Sequence, residues 1–343
     1  MSIKAATYCG NKTFTVDSKP VAALGSGEVQ IDVAYCGICG TDLHIYLGHM
    51  DQRVGFERTI GHEMSGVISA IGDNVEGLEI GQHIVVRPLD HCGECPACKA
   101  GHEHICHNLK FIGIDTEGAF QQKWNVAAHT IHVLPNSLDL SHAALIEPLA
   151  VACHDVDRGQ VSAGEDVLVI GGGPIGMLIA LVARHAGANV TISEINENRL
   201  AYAQKLGFET LNPKSDDVAK LVHERTGGKG ADVVFEVSGS QPGVDLMTEA
   251  AAVRGRIVMV AIHASKPQID MFKFFWRELE LIGARVYLKS DYEQAMTLLA
   301  EGVVDCDSFI TDIKSLDDIQ AAFEALTANP NAMKSMIKIT QDA

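Results

Sequence analysis

The run "VLVIGGGPIGMLIALVA", Val167 to Ala183, constrains the fold more than any other stretch. By hydropathy it could pass for a membrane span. Three consecutive glycines and Pro174 would break a spanning helix, and seventeen residues is at the short limit for crossing a bilayer. The other reading is a buried strand, a tight turn and an apolar helix. Gly171 then permits the turn, Gly173 lets the backbone approach a pyrophosphate, and Gly176 lets helix and strand pack closely. Pro174 and Ile175 complete the turn, and the helix N-terminus favours negative phosphates.

The neighbouring texture agrees with this second reading. Apolar strand candidates follow at Val190–Ser193, Asp232–Val237, Arg256–Ala261 and Leu279–Ala284. Helical stretches such as "NENRLAYAQKL" and "SDDVAKLVHERTG" lie between several of them. Strands apolar on both faces, alternating with helices, predict an α/β doubly wound parallel sheet of Rossmann type over residues 151–285. Glu194 comes eighteen residues after Gly176, at the end of "VTISE". A carboxylate there can accept hydrogen bonds from the adenosine ribose hydroxyls and would repel a 2′-phosphate, which selects NAD over NADP. Arg199 tempers that choice, since a nearby cation could accept the phosphate.

Residues 1–150 read differently, as glycine-rich β structure with short runs such as "EVQIDVAYC", "GVISAIG" and "HIVVRP". A chain of 343 residues exceeds one ordinary core, so two domains are expected. After Ala284 come helical patterns near 290–302 and 317–327, then a strand-like "SMIKIT", whose packing partner the pattern leaves open. The net charge of -17 argues against nucleic acid and anionic membrane as partners. The opening "MSIKAATYCGNKTFTV" lacks an apolar signal core, so a cytoplasmic, reducing compartment is expected. There, nine cysteines point to metal or catalytic use before disulfides.

Four of them, Cys92, Cys95, Cys98 and Cys106, fall in "HCGECPACKAGHEHICH" with the spacing C-x2-C-x2-C-x7-C. Four thiolates suit a tetrahedral soft metal, with zinc ahead of iron–sulfur, whose ligand spacings differ. Such a set leaves no open coordination position, so it predicts a staple for a loop over about 88–110 and no chemistry. His91, His102, His104 and His107 are expected as flanking surface residues. A mixed set lies elsewhere: Cys36, Cys39, Thr41, Asp42 and His44 in "CGICGTDLH", His62 and Glu63 in "GHEMSGVISAIGDNV", and Glu147, Cys153 and His154 in "ALIEPLAVACH". Mixed thiolate, imidazole and carboxylate ligands that leave a position free are the catalytic type.

Together these stretches make the chain resemble the zinc-dependent medium-chain dehydrogenases, in the sorbitol, butanediol and threonine dehydrogenase branch. "GHEMSGVISAIGDNV" fits the family's zinc signature G-H-E-x2-G-x5-G-x2-V, and the cysteine cluster has the spacing of its structural zinc lobe. The resemblance implies a GroES-like β-rich catalytic domain over 1–150, a Rossmann domain, and a C-terminal segment, 286–343, that returns to the catalytic domain. It implies two zinc ions per subunit. Cys39 and His62 match ligands of the catalytic zinc, Glu63 matches a position that ligates in sorbitol- and threonine-type members, and Cys36 does not match. Glu147 stands where ethanol-type members have a cysteine, which leaves direct or water-mediated ligation open. Cys153 lies too far along to replace it.

Thr41 and His44 match the family's proton relay, and Asp42 a residue that supports the ligands. Ala261 and Ile262 in "VAIH", with Arg285 in "GARV", match stretches that line the nicotinamide half of the cofactor site. Members of the family that use NAD also have an arginine at the place of Arg199, lying against the adenine, so Arg199 is expected in the cofactor site. The implied reaction is zinc-assisted hydride transfer from a secondary alcohol to NAD, giving the ketone. The substrate is expected to be a small polyol or sugar-derived alcohol, with 2,3-butanediol and L-threonine as alternatives. A zinc-free quinone reductase or a non-enzymatic relic would not be expected to keep Cys39, His62 and Glu63. A homo-oligomer, dimer or tetramer, is expected from the family. Arg87, in "VVRPLDH", is either a carboxylate-recognition residue for a sugar acid or a surface or subunit-contact arginine.

Overall fold

The computed structural model describes residues 2–135, 137–328 and 331–340. The chain divides into two units: Met1–Glu147 with Leu288–Ala343, and Pro148–Tyr287.

The first unit is built on a mixed sheet. Its strands run in the order Ile310–Ser315, Lys334–Lys338, Glu28–Gly37, Glu63–Ile71, His83–Val86, Ile131–Val133, and Lys123–Ala127 also pairs with Glu28–Gly37. Alternating apolar residues explain the long strand Glu28–Gly37: Val29, Ile31 and Val33 are fully buried and alternate with the partly exposed Gln30 and Asp32. Helix α1 (Gly40–Tyr46) follows directly from this strand. Helix α2 (Ile146–Arg158) carries the chain into the second unit.

The second unit is a six-stranded sheet, parallel throughout. Its order is Glu209–Leu211, Asn189–Ser193, Asp166–Ile170, Ala231–Glu236, Ala251–Met259, Glu280–Gly283. In sequence order this is 3-2-1-4-5-6, the doubly wound arrangement with its switch point beside Asp166–Ile170. Leu168, Ile170, Val234 and Ile257 pack with Val244 and Met247. Burying each such side chain contributes about 1.5–3 kcal/mol. Helix α3 (Pro174–His185) is only 12 residues long, and among the described residues no helix is long and apolar enough to cross a membrane. The strand expected at Arg256–Ala261 instead spans Ala251–Met259. Val260 and Ala261 leave the ladder because both their N–H groups donate to the Glu236 carbonyl, at 3.0 and 3.1 Å. Helix α4 (Met271–Arg277) precedes the edge strand.

Beyond Tyr287 the chain rejoins the first unit. Helix α5 (Lys289–Ala300) comes first. Strand Lys334–Lys338 then pairs antiparallel with Glu28–Gly37, placing Met336 opposite Gly37.

Candidate active site

Three elements of the first unit converge at the end of strand Glu28–Gly37. Cys39 is the N-cap of α1, and its N–H donates to Asp42 Oδ2 at 2.9 Å. This bond, from the third helical residue back to the cap, fixes the start of the helix. Strand Glu63–Ile71 pairs antiparallel with Glu28–Gly37 so that Glu63 faces Gly37. One Sγ, one imidazole nitrogen and one carboxylate oxygen, from Cys39, His62 and Glu63, therefore lie within 4.8 Å of one another. His62, Glu63 and Asp42 are buried.

Negative charge dominates this site. His62 Nδ1 and Asp42 Oδ1 are 3.5 Å apart, close enough for attraction but not bonded. Burial pulls the His62 imidazole down, yet the charges of Asp42 and then Cys39 outweigh it and hold it well above its usual range. The buried Lys334 ammonium contacts Glu63 Oε2 as an ion pair, without hydrogen-bond alignment. Burial lowers this lysine, but Glu63 first and then Cys39 raise it on balance. A buried thiolate, imidazole and carboxylate that jointly attract positive charge fit a divalent metal of zinc's character.

Glu147, in the first turn of α2, is buried but outside the three-residue set. Thr41 and His44 lie on α1, the threonine half-buried and the histidine exposed. Buried Cys36 and Cys153 stay outside the set as well.

The four cysteines form a separate group. Sulfur–sulfur distances are 3.5 Å for Cys95–Cys98, 3.8 Å for Cys95–Cys106 and 3.5 Å for Cys92–Cys106. Four sulfurs at zinc–thiolate bond length around one ion would stand about 3.8 Å apart. A disulfide would need about 2.05 Å. Backbone N–H groups of His107 and Asn108 donate to Cys95 and Cys106 sulfurs at 3.4 and 3.3 Å. Bonds from the Glu94 and then the Cys95 backbone lower the Cys92 thiol, while burial and then the Cys95 thiol raise Cys98. The sulfurs compete for charge, and a dication would relieve that competition.

In the second unit the glycine turn sits at the carboxyl end of strand Asp166–Ile170. Gly171 has φ +106°, and a Cβ on Gly176 would lie 1.8 Å from the Gly171 carbonyl oxygen. Only glycine fits either place. A Cβ on Gly173 would meet nothing closer than Arg199 Nη1 at 3.5 Å, so the turn keeps room for a phosphate. Buried Glu194 accepts from the N–H groups of Gly172, Ile195 and Asn196 at 2.7, 2.7 and 2.8 Å. Arg199 Nη1 stands 3.9 Å from Glu194 Oε2. Ala261 is half-buried, and Ile262 and Arg285 are exposed.

Known proteins are similar to this chain in sequence and fold. Residues 25–136 match the alcohol dehydrogenase GroES-like domain, and 174–301 match the zinc-binding dehydrogenase family. The chain is 54% identical over 334 residues to 2-dehydro-3-deoxy-L-galactonate 5-dehydrogenase of Pseudoalteromonas atlantica, covering 97% of this chain and 98% of that protein. The chain belongs to the zinc-dependent medium-chain dehydrogenases. Among solved structures, the dehydrogenase superimposes on 2R,3R-butanediol dehydrogenase of Bacillus subtilis with TM-score 0.91 and 29% identity, covering 98% of this chain and 100% of that one. A zinc-binding dehydrogenase of Sinorhizobium meliloti 1021 bound to NADP gives TM-score 0.91 and 30% identity, over 98% and 99% of the two chains. The dehydrogenase thus oxidises a small-molecule alcohol to the ketone, with zinc and a nicotinamide dinucleotide as cofactors.

Two expectations about the dehydrogenase's side chains need correction. His104 is buried, held in the short 3₁₀ turn Glu103–Ile105, and is no surface histidine. Arg87 is not a surface arginine either: it is 4% exposed, and its Nε has no hydrogen-bond partner. The register Ser65↔Val85 and Gly66↔Ile84 puts Arg87 two residues beyond Val85, as Glu63 is two before Ser65. It is thereby carried toward the Glu63 end of the neighbouring strand. Two other residues carry no local sequence signal. Lys334 reaches Glu63 only because its strand pairs with Glu28–Gly37. Tyr292 of α5 donates its hydroxyl to the Val86 carbonyl at 2.8 Å, which ties the returning segment to the strand leading to Arg87.

Proposed function

We propose that the dehydrogenase oxidises a secondary hydroxyl of a sugar acid, with NAD as the hydride acceptor. The proposed substrate is of the 2-dehydro-3-deoxy-L-galactonate type, oxidised at C5. The observation that carries this reading is the near full-length 54% identity to the Pseudoalteromonas atlantica enzyme. Arg87 supports it, because a buried cation with an orphaned donor is stabilised by a carboxylate. Glu194 supports NAD, since its carboxylate would repel a 2′-phosphate.

In this reading residues 1–150 and 286–343 make the catalytic domain, and 151–285 the cofactor domain. Cys39 and His62 hold the catalytic metal, which supplies Lewis acidity toward the alcohol oxygen. Glu63 stays within reach of that metal but is shared with Lys334. Glu147 supports the site through water or by exchange. Thr41 and His44 conduct the substrate's proton toward solvent. Cys92, Cys95, Cys98 and Cys106 hold a second, structural zinc. The enzyme works in the cytoplasm as a homo-oligomer, for which α4 offers exposed Met271, Phe272, Phe275 and Trp276.

The test is NADH formation across sugar acids, neutral polyols, 2,3-butanediol and L-threonine, repeated with NADP. Sugar acids with NAD are expected to give the highest kcat/KM. Higher values with butanediol or threonine, or with NADP, would overturn the assignment. Arg87→Gln should raise KM for the sugar acid about tenfold or more, with little effect on neutral polyols.

A further inference from the structure

A second imidazole, that of His49, lies against His44 at the end of helix α1. Helix α1 ends in a way that returns a second imidazole to the first. The C-cap is Leu47, followed by Gly48 in the left-handed region at φ +82°. Gly48 N–H donates to the Ile45 carbonyl at 2.9 Å, and His49 N–H donates to the His44 carbonyl at 3.0 Å. These two bonds make a Schellman motif, which brings the second residue past the cap against the third residue before it. That contact is usually hydrophobic. Here it joins His49 to His44, with Nδ1 to Nδ1 at 3.2 Å, ring centroids 5.5 Å apart and an interplanar angle of 40°.

A hydrogen bond between two Nδ1 atoms requires one to carry the proton and the other to be bare. The hydrogen-bonded backbone of the helix end places the two side chains next to each other, and the rotamers they adopt bring the rings into contact. Both rings are exposed. Thr41 stands three residues before His44 and so shares its helix face.

We propose that His49 is a second proton carrier of the oxidation, taking the proton from His44 and passing it to solvent. This rests on Thr41 and His44 serving as the relay. Oxidation of one alcohol sends a hydride to the cofactor and releases one proton. As His44 gains that proton on Nε2, its Nδ1–H bond breaks and a new Nδ1–H bond forms on His49. His49 in turn loses its Nε2 proton to water or buffer. One proton enters the pair and one leaves, so neither ring accumulates charge. Exchange with solvent returns both exposed rings to their starting tautomers.

The experiment is stopped-flow single turnover of the zinc-loaded enzyme at fixed pH. NADH absorbance and a pH-indicator dye are recorded together in weak buffer, then with added HEPES at constant ionic strength. His49→Ala and His49→Gln are expected to slow proton release about tenfold, less than the loss of a direct acid–base partner. HEPES should restore the rate in both variants, with zinc content, substrate KM and melting temperature unchanged. His49→Gln keeps a hydrogen-bonding group beside His44, so its loss separates proton carriage from mere positioning. Wild-type proton release in both variants, with no response to buffer, would overturn the second carrier while a slowed His44→Ala left the relay standing. If His44→Ala also releases its proton at the wild-type rate, the relay itself fails and the proposal with it.

Discussion

The two metal-capable clusters differ in how they are assembled. Cys92, Cys95, Cys98 and Cys106 come from one loop, and all four offer a soft sulfur. Cys39, His62 and Glu63 come from a helix cap and a strand start, and a lysine from the far end of the chain neutralises the carboxylate. The first set would enclose a zinc completely. The second mixes donors, and its carboxylate already has a competing partner in Lys334, so the metal need not hold it throughout. Closed coordination staples a loop, whereas open coordination leaves a position for substrate.

The largest test of that contrast is Cys39→Ala. It should lose one zinc per chain and about 10³-fold or more in turnover, with a melting temperature near wild type. Metal analysis beside steady-state rates checks this, and full zinc with full turnover would remove the distinction between the clusters. Lys334→Met comes next. Taking one partner from a buried ion pair costs about 3 kcal/mol or more. Bound zinc can take over the charge of Glu63, so the destabilisation should be smaller in zinc-loaded enzyme than after chelation, as thermal melts in the two conditions would show.

Cys92→Ser should lose the other zinc and about 2 kcal/mol of stability, roughly 4–8 °C in melting temperature. The folded fraction should keep its kcat. A folded variant with both zincs and no turnover would assign chemistry to the cysteine loop. Glu147→Ala is expected to have the smallest effect, about tenfold in kcat. Most of its zinc should remain, because Glu147 lies outside the Cys39–His62–Glu63 set. Loss of that zinc on gel filtration would make Glu147 a permanent ligand.

Much of the second unit was legible because its signals are local. Five apolar runs became strands, four of them within one residue of their expected ends, and the glycine turn lies between its strand and helix as read. Parallel pairing buries both faces, which writes continuous apolar runs into the sequence. The cysteine group was legible for the same reason, since its four cysteines lie within fifteen residues. The place of Glu194, just past strand Asn189–Ser193, was legible by its spacing from the turn. Its three backbone donors were not, because they depend on how the loops before α3 and after strand Asn189–Ser193 fold back.

The sequence by itself determined the strand–turn–helix of the second unit, the four-cysteine group and the types of side chain available in the Cys39–His62–Glu63 group. Each depends on neighbours a few residues apart, or on side-chain chemistry that folding does not alter. Only the tertiary structure decided that Lys334 meets Glu63, that Arg87 is buried with a free donor, and that His104 is inside. Those outcomes depend on pairing between strands up to some three hundred residues apart and on which side of a strand or turn faces the core. A charged residue in a short strand reads the same from sequence whether that face meets water or an opposite charge, and here the pairing of Lys334–Lys338 with Glu28–Gly37 is what settled it.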